Sequence, residues 1–187
     1  MITINEAMKI IDEFQVSTEI ENISIRNAMG RILATDIYSE IDMPPFDKAA
    51  MDGYALASND DSGRFKIVET IPAGRYPEKG IGRGECAKIM TGAPVPEGAD
   101  RVLKIELTKE EAGMMIPKQM DPAGNICKRG EDISKGDQVL PGGMKLDAAQ
   151  IGLLASLGIA KLPVFKRPRI VLVSTGSEIV EPGDQLK

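Results

Sequence analysis

From Met43 onward the chain changes texture. Gly and Pro recur at short intervals, and no apolar run between Met43 and Leu140 exceeds the length of a strand. Such punctuation excludes long helices, because Pro lacks the backbone donor and Gly weakens a helix interior. The apolar runs Phe65–Glu69, Cys86–Met90, Arg101–Leu107, Gly113–Lys118 and Asp137–Leu140 read as strands, with AGRYPEKG and EEAG as turns between them. Short strands at this spacing predict a compact β domain over residues 43–140, a small barrel or a sandwich.

The flanks read differently. Thr3 and Glu6 form a capping-box pattern, and Ile4, Ala7, Met8, Ile11 and Phe14 keep helical spacing, which predicts a helix over 3–15. A short strand is expected at Ile20–Ile25 and a second helix at Ala28–Ala34. Helix returns where Asp147 can cap, with Gln150 three residues later. Ile151, Leu154, Ala155 and Leu157 then share a face, and Gly158 stops the helix. The β domain is thus expected as an insertion into a helical unit made of residues 1–42 and 141–167. The whole is of α+β class and multidomain. Ile170–Val173, a continuous apolar run before Ser-Thr-Gly, reads as the first parallel strand of an α/β domain beginning at residue 168. Only 14 residues follow it, so that domain looks truncated.

Composition narrows the chemistry. There is no His, which removes a Ser-His-Asp triad, a Cys-His dyad and imidazole metal ligands. Cys86 and Cys127 lie far apart, so neither a zinc site nor a disulfide framework follows, in keeping with a reduced cytoplasmic setting. The N-terminus lacks the apolar run of a signal peptide, and Ile151–Ala160 is too short to span a bilayer. A net charge of −5 argues against nucleic acid as a partner. Charge is unevenly spread, however. Residues 1–62 hold 12 acids and 4 bases, whereas 64–88 hold 6 bases and 3 acids. Lys161, Lys166, Arg167 and Arg169 add another basic run. Such patches can hold a small anion, although solvated lysines at strand edges have the same signature.

The usual phosphate signatures are missing. KGIGRGE (79–85) departs from the dinucleotide fingerprint and reads as a hairpin turn, and no GxxxxGK[ST] occurs. Four segments stand out instead: MPPFDKAAMDGYA (43–55), IMTGAPVPEGAD (89–100), KRGEDISKGD (128–137) and VSTGSEIVEPGD (173–184). Each sets a carboxylate or hydroxyl beside Gly or Pro, which taken singly is turn chemistry. Taken jointly, in a chain without His, they suit a polyphosphate-like anion. Carboxylates would hold Mg²⁺, and hydroxyl and amide donors would face phosphate oxygens.

In this order, together with ASLGIA (155–160), the segments closely resemble the molybdopterin molybdenumtransferases, the MoeA and gephyrin E-domain family. The resemblance covers essentially the whole chain. It implies a helical dimerisation region, an inserted β domain, and the opening of a molybdopterin-binding α/β domain. It also implies Mg²⁺-dependent insertion of molybdenum from molybdate into adenylylated molybdopterin, with release of AMP. A homodimer whose cleft is completed by the partner protomer is implied as well, and an upstream molybdopterin adenylyltransferase as supplier. Carried over by motif, Asp52 and Glu178 would hold Mg²⁺ or orient water, and Thr91 would donate to a phosphate or molybdate oxygen. Asp132 would position substrate or a basic partner, Ser174 and Thr175 would join the substrate-binding set, and Asp47 is a weaker candidate. Lys48 and Ala49 stand where the family often has Asn-Ser, and Ser177 where it often has Asp. A non-catalytic dimerising scaffold is the alternative reading, and a generic anion-binding β module a third.

Overall fold

The structure, a computed structural model, describes residues 2–13, 18–176 and 178–185. Its elements in chain order are α1 (Ile4–Glu13), β1 (Ile20–Ser24), β2 (Ile37–Tyr38), β3 (Lys48–Ala49), β4 (Gly53–Leu56) and β5 (Phe65–Ile71). Then follow β6 (Glu85–Ile89), β7 (Arg101–Lys104), β8 (Thr108–Glu111), β9 (Met114–Pro117), β10 (Ile126–Cys127) and β11 (Gln138–Leu140). Helix α2 (Ala148–Ser156) and β12 (Lys161–Phe165) complete the order. The fold is mostly β with few helices. The chain divides into two compact units, a discontinuous one (Met1–Asp36 with Pro141–Lys187) and an inserted one (Ile37–Leu140).

The inserted unit is built on a six-stranded sheet in the order β7-β4-β6-β5-β9-β8. All pairings are antiparallel except β5 with β6. Strand β4 lies inside the sheet with every residue buried. Its period-2 geometry sends Ala55 to one face, with Ile71, Ala87, Ile89 and Val102. Tyr54 and Leu56 go to the other, with Phe65, Cys86, Leu103 and Met115. No pairing closes β7 onto β8, so the sheet is open and the barrel form of the expectation does not hold. Two small sheets, β3 with β10 and β2 with β11, belong to the same unit. Because Ile37–Tyr38 pairs with Gln138–Leu140, the compact unit begins before the change of texture at Met43.

In the discontinuous unit β1 pairs antiparallel with β12, and α2 starts on the capping box of Asp147 and Gln150. Helix α1 starts on Thr3 and Glu6, whose side chains exchange hydrogen bonds with each other's backbone amides. Phe14, the last apolar position expected on that helix, lies outside the described residues.

Three expectations are corrected. Ala28–Ala34 is not a helix: a 3-10 turn at Ile25–Asn27, capped by Ser24, is followed by isolated bridges from Ile32 and Leu33. Gly30 sits between them at φ +71, a left-handed conformation that ends any helix. KGIGRGE is a turn but not a hairpin, since the strands it links run parallel. Ile170–Val173 forms no strand; it has no pairing partner among the described residues and is 73–93% exposed.

Candidate functional site

Three of the four motif segments converge within the inserted unit, because the first is strapped between the other two. On one side Ala49 donates its amide to the Ala93 carbonyl (3.0 Å), and Gly92 donates to Ala49 (2.8 Å). Val95 donates to the carbonyl of Asp47 (2.9 Å). On the other side β3 pairs with β10, Ala50 donates to Asn125 (2.9 Å), and Met43 exchanges hydrogen bonds with Ile133. The strap 43–52 thus exchanges backbone hydrogen bonds with the other two segments, and with Asn125 just outside them.

Charge reinforces the second contact. The Asp47 carboxylate accepts from Lys128 Nζ (2.7 Å) and the Arg129 amide (2.9 Å), which hold its pKa below the ordinary carboxylate value. Asp42 accepts from the Lys135 amide (2.8 Å) and from Arg129 Nε (2.6 Å), and its pKa is lowered in the same sense. These pairs are partly exposed, so they define geometry more than stability. Asp47, a weak candidate from sequence, is tied here into the strap. Asp42, Lys128 and Arg129 escape sequence reasoning, since pairs more than 80 residues apart leave no local spacing.

At the end of the strap Asp52 meets Thr91. The antiparallel register Gly53↔Ile89 brings the two together past the end of the ladder, Asp52 one residue beyond Gly53 and Thr91 two beyond Ile89. Asp52 Oδ1 accepts from the Thr91 amide (2.7 Å) and the Thr91 hydroxyl (2.6 Å). The hydroxyl first, then the amide, hold the Asp52 carboxyl below its ordinary value, so it is ionised at neutral pH. Both residues are exposed, and Oδ2 takes no hydrogen bond from the described residues. Gly53 is demanded by its neighbours: a Cβ there would lie 2.1 Å from the Leu103 carbonyl oxygen.

The remaining candidates lie elsewhere. Asp132 is exposed in a bend of the same unit, its amide donating to Met43 (3.0 Å). Ser174, Thr175 and Glu178 belong to the discontinuous unit, exposed in a segment without regular structure; Ser177 lies outside the described residues. Among the described residues no group of three or more metal-ligating side chains gathers. Three of the six bases in the patch of 64–88 are held in ion pairs. Arg75 pairs with Glu78, Arg83 with Asp61, and Lys88 with Glu110.

The sequence model of the MoeA N-terminal region (domain I and II) matches residues 2–158, and the chain belongs to that family. Among its curated relatives, a protein of Staphylococcus epidermidis named molybdopterin molybdenumtransferase is 37% identical over all of this chain and 46% of its own length. Its namesake in Bacillus subtilis is 35% identical with the same coverage. The crystal structure of a molybdopterin biosynthesis MoeA protein from Pyrococcus horikoshii has a TM-score of 0.85 at 38% identity, over 100% of this chain and 50% of that one. The chain therefore spans about half the length of the relatives it matches.

Proposed function

We propose that this chain is the site-bearing N-terminal portion of a molybdopterin molybdenumtransferase acting in molybdenum cofactor biosynthesis. The reaction is insertion of molybdenum from molybdate into adenylylated molybdopterin, with cleavage of the phosphoanhydride and release of AMP. The names of its relatives support the reaction class. The observation that carries the site is the ionised Asp52 carboxylate, locked to Thr91 on a rigid strap with one oxygen left free.

That donor set fits Mg²⁺ in one way only. Mg²⁺ keeps several waters and takes one or two carboxylates plus substrate phosphates, so a lone carboxylate oxygen suffices where the substrate brings its own phosphate oxygens. Asp52 Oδ2 would hold the ion; Glu178, in the discontinuous unit, is proposed separately as a functional carboxylate on its motif alone. When bound, Mg²⁺ supplies neutralisation of phosphate charge. Asp132 in the inserted unit, and separately Ser174 and Thr175 in the discontinuous one, are proposed as substrate-binding residues; an upstream molybdopterin adenylyltransferase would supply the pterin nucleotide.

The discontinuous unit is proposed as the dimerisation region. Its support is the apolar side of α1, where Ile4, Met8 and Ile11 remain 52–83% exposed. No helix among the described residues is long and apolar enough to cross a membrane, in keeping with a proposed cytoplasmic homodimer. The protein at its natural length, given Mg²⁺, molybdate and adenylylated molybdopterin, tests the reading. Asp52→Asn should lower AMP release by about 10²-fold or more with the fold intact. Wild-type turnover in that variant would overturn it.

A further inference from the structure

We propose that Thr91 is a positioning residue that spends both its donors on one oxygen of Asp52, so that Asp52 presents a single free oxygen, Oδ2, to what the site binds. The proposal rests on the reading of Asp52 as functional, and it replaces the donation to a substrate oxygen expected for Thr91.

The geometry leaves Thr91 little else to donate. Its amide proton and its hydroxyl proton both point at Asp52 Oδ1, at 2.7 and 2.6 Å. A threonine carries no third donor. The direction of the amide is set by the surrounding backbone. Ala93 donates to the Met90 carbonyl (3.0 Å), closing a turn with Thr91 and Gly92 at its centre. Gly92 stands at φ +83, the left-handed residue such a turn needs. Met90 is tied to Ile71 (3.1 Å), and Gly92 to Ala49 (2.8 Å). The hydroxyl is steadied in turn, because a β-branched side chain is restricted about χ1. On the other side, the Asp52 carbonyl accepts from the Ile105 amide (3.1 Å), and Gly53 is paired with both Ile89 and Lys104.

Backbone anchors on Asp52 and on Thr91 therefore fix this one carboxylate. A carboxylate held in this way cannot turn to offer both oxygens, as a bidentate guanidinium contact requires. It offers one oxygen, a form suited to a hard cation that also takes water and phosphate oxygens.

The roles differ in what Thr91→Val should do. A lost substrate contact removes transition-state stabilisation at every pH, on the order of 10²-fold. Such a loss would leave Asp52 in place, whereas a lost positioning contact frees its carboxylate to turn. The test compares crystal structures of the 187-residue chain and its Thr91 variants at pH 7. In the wild type, Asp52 should hold one side-chain conformer with Oδ1 on the Thr91 amide and hydroxyl. In Thr91→Val the carboxylate should leave that conformer or divide between several, and in Thr91→Ser it should return to the wild-type position. An Asp52 conformer unchanged in Thr91→Val would overturn the proposal. Should that variant fail to fold, a wild-type Asp52 that takes more than one conformer would overturn it equally. If the conformer depends on Thr91 but Asp52→Asn keeps full AMP release at natural length, the functional reading of Asp52 fails while the positioning relation stands.

Discussion

At the scale of single residues, the sharpest constraint around the candidate site is the absence of a side chain. Gly53 follows Asp52 and enters β4 where the Leu103 carbonyl oxygen lies 2.1 Å from the position a Cβ would take. No flexible side chain can yield there, because the obstacle is backbone in a paired strand. Gly53→Ala should therefore destabilise the inserted unit by about 3 kcal/mol, measured as a lower midpoint of urea unfolding. An unchanged midpoint would show that β7 can move aside. The Asp-Gly pair illustrates the limit of reading residues locally. In sequence it is turn chemistry, and Asp52 does end a loop. The glycine's reason, close approach of a strand 50 residues later, is tertiary and leaves no mark beside it. Asp52 and Thr91 were legible as candidates through their motifs, but their contact was not, since it depends on the register of β4 against β6.

Elements were legible where local chemistry decides them. The capping boxes at Thr3 and Asp147 and the β1, β5, β6 and β9 runs lie close to where periodicity predicts them. Strand β4 was hidden, because Gly-Tyr-Ala-Leu is buried on both faces and shows no polar alternation, and its first residues sit inside a loop-like motif. Strand β12 was hidden by Pro163 and by the basic residues around it, although Leu162 and Val164 are fully buried. Ile170–Val173 erred in the opposite direction: apolar composition suggests a strand, but composition alone supplies no pairing partner. The β8–β9 hairpin permits a quantitative test of turn chemistry. Its two-residue loop has Ala112 at φ 49 and Gly113 at φ 76, so both central residues are left-handed, as a type I′ turn requires. Alanine pays a steric penalty in that region that asparagine largely avoids. Ala112 is exposed, so nothing else changes when it is replaced. Ala112→Asn should raise stability by about 0.5–1 kcal/mol in urea unfolding, and a loss would mean the hairpin is set by packing rather than by its turn.

For the molecule as a whole, the absence of His determines how it answers to pH. No imidazole titrates between pH 5 and 8, so stability should be flat there. Below that range the carboxylates act together. Asp42, Asp47, Asp52, Asp60, Asp100, Glu110 and Asp121 all have pKa values lowered by hydrogen bonds or ion pairs in the folded state, and all lie in the inserted unit. A carboxylate whose folded pKa lies below its unfolded one stabilises the fold above the unfolded value, roughly 4. That contribution disappears as pH falls through the folded value. The inserted unit should therefore weaken progressively below about pH 4. The chain carries a built-in reporter. It has no Trp, and Tyr38, Tyr54 and Tyr76, its three tyrosines, all belong to this unit. Tyr54 is buried and donates to Glu110 (2.7 Å), which also accepts from Lys88 (2.8 Å), so protonating Glu110 weakens a contact of the buried ring. The near-UV tyrosine circular dichroism should hold constant from pH 8 to 6 and collapse as the carboxylates protonate. A transition centred near pH 6 would contradict this account, because the chain has no imidazole to drive it.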